Sequence, residues 1–258
     1  MKIVGIIGCG ALGSALADGW QRENVRVFAT RRSGEGDLAG VTWCRDNDEL
    51  IGRAQTVVLA TKPKDAVPAL HALRENVTPD HLLISVAAGV ELDTLRNAVG
   101  NRTRLLRAMP NVAARAGCAM TALSYEADAS SDEKHRSLAL FAQLGRVREV
   151  DESLLDLYTA LAGSGPAFAS IALEGFADGA VRSGLPRAQA LEVAAQAFLG
   201  AAELIVRGMQ PSELRDMIAT PAGCTVEGLA VLEAGAVRSH FSHAIVETMR
   251  KLKNRFHS

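Results

Sequence analysis

One short run near the start of the chain constrains its fold more than any other. KIVGII, residues 2–7, is followed at once by Gly8-Cys9-Gly10-Ala11-Leu12-Gly13, and apolar residues then recur at helical spacing from Ala11 to Gln21. A short apolar run with β-branched residues predicts a buried strand, and the spacing after it predicts a helix. The pattern G-x-G-x-x-G therefore stands at a strand–helix junction. There the first glycine permits a tight turn, the second lets backbone approach a pyrophosphate, and the third lets helix pack on strand. The pyrophosphate rests on unpaired N–H groups at the positive end of the helix. The expectation is a dinucleotide site that includes Gly8, Gly10, Ala11, Leu12 and Gly13. A glycine-rich turn without a ligand is the alternative reading.

Further strand-like runs lie at 25–29, 56–60, 82–86, 105–109 and 118–122, with helical patterns such as 64–74 and 90–98 between most of them. That alternation predicts an α/β, Rossmann-like domain with a mainly parallel sheet covered on both faces. The character changes near residue 150. From Leu154 to Lys253 the chain is alanine-rich and helix-forming, punctuated by GSGP, GLP, GMQP, TPAG and EAG. We expect two domains, a dinucleotide-binding domain over 1–150 and an all-α domain over 151–258. Two stretches of the second, SIALEGFADGAVRSG and ALEVAAQAFLGAAELIV, are apolar around much of their circumference. A second copy of the chain is expected to cover them, giving a homodimer or a higher homo-oligomer.

Composition excludes several partners. A net charge of −1 over 258 residues leaves no electrostatic footprint for nucleic acid or an anionic membrane. The longest charge-free stretch of the second half, residues 157–173, is broken by Gly163-Ser164-Gly165-Pro166 and is not read as a membrane span. Cys9, Cys44, Cys118 and Cys224 are far apart, so neither a disulfide framework nor a metal site is expected. His240 and His243 sit three apart but lack a third ligand nearby. No cleavage pattern follows the apolar start, and a cytoplasmic setting is the expectation. The basic run RKLKNRFH, residues 250–257, suits a helix C-terminus and is too short to argue for nucleic acid.

The second strand runs into Thr30-Arg31-Arg32-Ser33. Enzymes that use NAD usually place Asp or Glu here for the ribose 2′-hydroxyl. This chain offers two guanidiniums and two hydroxyls, and its first carboxylate is Glu35. Arginine suits a phosphate bidentately, so NADP(H) is favoured over NAD(H). The bland alternative is a pair of solvated arginines. Between Val150 and Lys251 there is no lysine, and His240 and His243 are the only histidines. Hydride transfer to a ketone leaves an alkoxide that normally needs such an acid. An imine nitrogen can arrive already protonated, so this scarcity favours an imine.

The segment PSELRDMIATPAGCTVEGLAVLE, residues 211–233, resembles the signature region of the pyrroline-5-carboxylate reductase family. The resemblance extends to ALAGSGPAF (160–168), ADG (177–179), GLP (184–186), TKP (61–63), SVAAGV (85–90) and RAMPN (107–111), in the family's order and spacing. It implies an NAD(P)H-dependent oxidoreductase acting on CH–NH donors, with a helical dimerisation domain. The implied reaction reduces 1-pyrroline-5-carboxylate to L-proline, the last step of proline biosynthesis. By the same resemblance the Thr225 hydroxyl is catalytic and hydrogen-bonds the ring nitrogen near the nicotinamide. Thr61, Lys62 and Pro63 match the family's cofactor edge. Asn47 has the family's spacing to them and reaches for the adenosine ribose or its phosphate, while Ala87 and Ala88 lie along the nicotinamide.

The stretch Thr220-Pro221-Ala222-Gly223-Cys224-Thr225 then reads as a carboxylate cradle. Unpaired N–H groups of Gly223 and Cys224 hold the substrate carboxylate at a helix N-terminus, helped by Thr220, where the family commonly has serine. A plain Thr-Pro helix start is the alternative. Three departures leave the identity of the ring open. Thr-Pro-Ala-Gly-Cys-Thr replaces the common Ser-Pro-Gly-Gly-Thr-Thr, Asn111 is followed by Val-Ala rather than Thr-Pro, and Tyr158 replaces a smaller residue. Another cyclic imino acid, such as 1-pyrroline-2-carboxylate or a piperideine carboxylate, remains open as the substrate. So do a hydroxy-acid dehydrogenase and a non-catalytic NADPH-binding sensor.

Overall fold

The computed structural model describes residues 2–34 and 36–256; Glu35 and His257, named above, lie outside them. Chain order begins β1 (Ile3–Ile7), α1 (Ala11–Arg22), β2 (Arg26–Thr30), β3 (Thr42–Trp43), α2 (Asn47–Arg53), β4 (Thr56–Leu59), α3 (Pro63–Leu73), β5 (Leu82–Ser85) and α4 (Leu92–Val99). It continues with β6 (Arg104–Met109), β7 (Ala119–Tyr125), α5 (Ser131–Phe141) and β8 (Gly145–Glu149). One sheet takes all eight strands in the order β3-β2-β1-β4-β5-β6-β7-β8. Every neighbouring pair is parallel except β6 with β7.

The central strands are continuous apolar runs because both faces are covered. Val4 and Ile6 of β1 point to a cluster with Leu16 and Trp20 of α1, and Ile7 points to the opposite cluster with Leu59 and Leu70. Trp20 locks α1 in place. Its indole N–H donates to the Leu140 carbonyl at 3.0 Å, and its ring meets Phe141 edge-on at 5.5 Å. A buried indole with a satisfied N–H combines apolar area with direction.

The expected mainly parallel sheet is borne out, with two strands that the residue pattern did not reveal. β3 is only two residues long. β8 is an edge strand, GRVRE, whose charged side chains face out. Edge strands carry charge to discourage further pairing, which hides the apolar alternation. β7 also runs on past residue 122, to Tyr125.

The later helices are α6 (Leu155–Tyr158), α7 (Gly165–Arg182), α8 (Arg187–Val206), α9 (Pro211–Ile218), α10 (Cys224–Ala234) and α11 (Val237–Phe256). Thr159–Gly163, between α6 and α7, is a turn of π-helix. Two compact units result. One holds the residues up to Ser164 together with those from Thr248 onward, and the other holds Gly165–Glu247. This division by packing falls after the change in composition near 150, because residues 155–163 already pack on the sheet unit: Leu155 and Tyr158 join Met109 and Ala122.

Within the second unit α7 and α8 pack closely. Phe176 and Phe198 meet at 5.0 Å, and Ala177, Ala190 and Ala194 are buried. Small residues let the two helices approach. Much of the remaining apolar surface stays open, including Ile171, Val193, Leu199, Met217 and Val231. Among the described residues, α8 is the one helix long and apolar enough to cross a membrane by length and composition, and 11% of that window is buried within the chain.

Gly145 starts β8 at φ +142°, and a Cβ there would sit 2.2 Å from the Ala119 carbonyl oxygen. Gly145→Ala should therefore break the β7–β8 register and cost roughly 2–5 kcal/mol, combining backbone strain with overpacking. Urea unfolding monitored by circular dichroism checks this. A change within about 0.5 kcal/mol, the range of ordinary surface substitutions, would contradict the packing described.

Candidate active site

The glycine-rich turn is built from the sheet outward. Gly8 and Cys9 both donate their N–H groups to the Thr30 carbonyl at 3.1 Å, which turns the chain off the end of β1. Gly8 has φ +91°, and a Cβ there would lie 2.9 Å from the Ala60 carbonyl oxygen and 3.0 Å from Thr61 Cγ2. At Gly13 a Cβ would lie 2.7 Å from the Gly8 carbonyl oxygen. These two glycines are required by packing. Gly10 is different, because a Cβ there would meet nothing within 4 Å. No internal contact explains a glycine at that position, whereas a ligand approaching the backbone does.

The start of α1 is free to receive such a ligand. Gly10 offers no side-chain cap, and the N–H groups of Ala11, Leu12 and Gly13 have no hydrogen-bond acceptor among the described residues. This N-terminus lies beside the point where strand order reverses, between β1 and β4. That is the crevice where open α/β sheets bind ligands. Cys9 is buried with its Sγ 3.7 Å from Ser14 Oγ, and burial pushes its thiol pKa up. It therefore packs as a neutral side chain.

At the end of β2 two of the sequence candidates, Thr30 and Asn47, are brought together. The buried Thr30 hydroxyl donates to Asn47 Oδ1 at 2.7 Å. Asp46 caps α2 through the Glu49 N–H at 2.9 Å, which sets Asn47 at the first helical position and lowers the Asp46 pKa. Arg31, Arg32 and Ser33 are exposed. Arg32 reaches Asp65 at 3.0 Å, but with its side chain 82% exposed against 25% for Asp65 the pair contributes little. Lys62 and Pro63 begin α3, and the buried Thr61 hydroxyl has no partner among the described residues. Ala87 has its side chain in the core, so of the two alanines Ala88 alone is partly open.

Lys62, Pro63, Gly89 and Val90 also line an open cleft of about 1450 Å³, together with Arg107 and Glu152. Sequence reasoning gave Arg107 and Glu152 no role. They form an ion pair at 2.7 Å, with Arg107 buried on β6. No local pattern links two residues 45 positions apart, although a charged residue inside the otherwise apolar run 105–109 was a usable signal. Asn111 is buried, and its Nδ2 donates to the Ala162 carbonyl at 2.8 Å.

In the second unit Thr220, Gly223, Cys224 and Thr225 share one turn and the start of α10. Gly223 donates its N–H to the Thr220 carbonyl at 2.9 Å, closing a turn with Pro221 and Ala222 at its corners. The expectation that the Gly223 N–H is unpaired is thus corrected. The N–H groups without an acceptor among the described residues are those of Cys224 and Thr225. Ala222 has φ +58°, the left-handed region that favours glycine, which accounts for the family's usual glycine there. A Cβ at Gly223 would lie 2.4 Å from Thr220 Oγ1, so this glycine is needed for the hydroxyl to fold over the turn. His240 and His243 are exposed on α11, and no group of three metal-ligating side chains occurs among the described residues.

Comparison with known proteins agrees with this geometry. Residues 152–255 match the model for pyrroline-5-carboxylate reductase dimerisation, and residues 3–89 match that for NADP oxidoreductase, coenzyme F420-dependent. The chain is 36% identical to pyrroline-5-carboxylate reductase of Methanosarcina acetivorans, with 97% of this chain and 96% of that one covered. It is 31% identical to the Escherichia coli enzyme, with 97% of each covered. Among solved structures it is similar to the Plasmodium falciparum pyrroline carboxylate reductase with NADP bound, at TM-score 0.90 and 26% identity, over 99% of this chain and 98% of that one. With a sheet of this topology, an open helix N-terminus at its reversal point and full-length identity of this order, the chain belongs to the pyrroline-5-carboxylate reductase family.

Proposed function

We propose that the chain reduces the C=N bond of 1-pyrroline-5-carboxylate to L-proline, drawing its hydride from NADPH. The observation that carries this reading is the pair of N–H groups at the start of α10 that lack an acceptor among the described residues, on a turn that also presents Thr220 and Thr225. A helix N-terminus of this kind suits a carboxylate. In this reading Cys224 and Thr225 hold the carboxylate through backbone N–H groups, and the Thr220 hydroxyl assists. Gly223 shapes the turn. The Thr225 hydroxyl holds the ring nitrogen. The nitrogen arrives protonated, so no lysine or histidine acid is required.

For the cofactor, Ala11, Leu12 and Gly13 bind the pyrophosphate through their N–H groups, and Gly10 leaves it room beside Gly8. Thr30 and Asn47 hold the adenosine ribose, and Arg31, Arg32 and Ser33 hold the 2′-phosphate. Thr61, Lys62 and Pro63 border the cofactor, and Ala88 flanks the nicotinamide, with Ala87 contributing only its backbone because its side chain is in the core. NADP(H) is preferred over NAD(H) on the strength of the two exposed guanidiniums and the absence of a carboxylate from Thr30 to Ser33. We assign residues 1–150 to the cofactor and 151–258 to dimerisation and substrate. The open apolar face of α7 and α8 belongs to a second copy rather than to a membrane, and the enzyme works in the cytoplasm.

Thr225→Val keeps the shape and removes the hydroxyl. Single-turnover NADPH oxidation with saturating imine should slow roughly a hundredfold, the equivalent of about 2–4 kcal/mol for one oriented donor. NADPH affinity should stay close to normal, and Thr225→Ser should keep much of the rate. A Val variant as fast as the parent would reduce Thr225 to a helix-start residue.

Replacing both Arg31 and Arg32 with glutamine should weaken NADPH by about tenfold or more, since each charge-assisted contact contributes about 1.5–3 kcal/mol. NADH should change little. Equal losses in titrations of the two cofactors would refute the 2′-phosphate assignment.

Leu199, 58% exposed on α8, tests the interface. Leu199→Glu should raise the dimer dissociation constant about a hundredfold or more in sedimentation equilibrium, because a carboxylate would be buried without a partner. Ala194 on the same helix is unsuited to this test. It is buried within this chain's own α7–α8 packing, so a change there unfolds the unit itself. An unchanged Leu199→Glu dimer would move the interface elsewhere.

A further inference from the structure

Arg107 and Glu152 stand outside both cradles, yet their geometry connects them to one. The helix α4 begins without a side-chain cap from Glu91. Its first N–H, that of Leu92, donates instead to Glu152 Oε1 at 2.6 Å. The same oxygen accepts Arg107 Nη1 at 2.7 Å. Arg107 has its side chain 3% exposed against 32% for Glu152, so the guanidinium is the fixed member and the carboxylate is the one that can move. A guanidinium cannot shed its charge in a protein, and a buried one holds its counter-ion firmly. The Nε and Nη2 of Arg107 are buried with no other acceptor among the described residues, which leaves Glu152 as its charge partner there.

The segment between β5 and α4 is held at its two ends by this arrangement. Ser85, the register partner of Arg107 on β5, accepts the Ala87 N–H on its hydroxyl at 3.3 Å. At the far end Glu152 holds the Leu92 N–H. Between them lie Ala87, Ala88 and Gly89, the last with φ +69°. Gly89 and Val90 share the wall of the cleft with Arg107 and Glu152.

We propose that Arg107 and Glu152 are positioning residues for the nicotinamide half of the cofactor. Glu152 caps α4 and so fixes the 86–91 turn, and Arg107 keeps the Glu152 carboxylate in place. The proposal rests on the reading that Ala88 borders the nicotinamide. Neither side chain takes part in proton or hydride transfer.

The test compares two ligands that share the adenosine half, NADPH and adenosine 2′,5′-bisphosphate, by calorimetric titration of the full-length protein. Arg107→Met removes the charge at similar length, and Glu152→Gln keeps an oxygen for Leu92 while losing the ion pair. Each should raise the NADPH dissociation constant about tenfold. The bisphosphate constant should change less than twofold, a selectivity that general destabilisation would not produce. Should Arg107→Met fail to fold, Glu152→Gln and Arg107→Lys carry the comparison, with Arg107→Lys expected to retain most of the NADPH affinity. Equal weakening of both ligands, or no change in either for a folded variant, overturns the proposal. Ala88→Leu provides the control and should weaken NADPH alone. If it does so while the Arg107 and Glu152 variants bind normally, only the positioning role fails. If Ala88→Leu has no effect, the nicotinamide placement fails and the proposal falls with it.

Discussion

A single carbonyl sets the geometry of the cofactor end. The Thr30 oxygen accepts N–H groups from both Gly8 and Cys9, so the chain leaves β1 in a tight turn and enters α1 with its first three N–H groups lacking an acceptor among the described residues. Everything that recommends this edge for a dinucleotide follows from that turn. Gly8 and Gly13 are glycines because Ala60 and the Gly8 carbonyl leave no room for a side chain, and Gly10 is a glycine although the protein itself leaves room. The contrast separates packing from binding at three positions of one motif. Thr30 also carries the hydroxyl that engages Asn47, so one residue joins the turn to the start of α2.

The second cradle repeats the same physics on a shorter scale. At the start of α10 a turn closed by the Gly223 N–H leaves the next two N–H groups open. The departures from the family pattern are informative here. Ala222 tolerates a left-handed conformation in which glycine is more comfortable, at a cost of roughly 1–2 kcal/mol. Cys224 contributes its backbone to the open end, and its side chain is exposed. Neither change removes the Thr225 hydroxyl or the two N–H groups that lack an acceptor among the described residues, the groups on which the proposed carboxylate binding and nitrogen orientation rest.

Much of this was readable from residues alone, and the reasons are local. A strand followed by GCGALG encodes its own turn, and the missing carboxylate after β2 is visible letter by letter. The alanine-rich second half announces close helix packing, although which alanines face inward depends on rotation about each helix axis. β8 escaped because its charges belong to an edge. The Gly223 N–H was misjudged because a turn hydrogen bond depends on backbone angles that the letters do not specify. Arg107 and Glu152 escaped because their partnership spans the chain and includes a backbone N–H sixty residues from the carboxylate.

The start of α10 and the hydroxyls of Thr220 and Thr225 fit a five-membered cyclic imine bearing its carboxylate at C5. The most direct measurement compares initial rates of NADPH oxidation with 1-pyrroline-5-carboxylate, 1-pyrroline-2-carboxylate and a piperideine carboxylate, and identifies each product by chiral chromatography. The kcat/KM for 1-pyrroline-5-carboxylate should be higher by about tenfold or more, in line with what one methylene or a displaced carboxylate contributes to discrimination, with L-proline as the product. A higher kcat/KM on either other ring, or no oxidation with any of the three, would contradict this assignment.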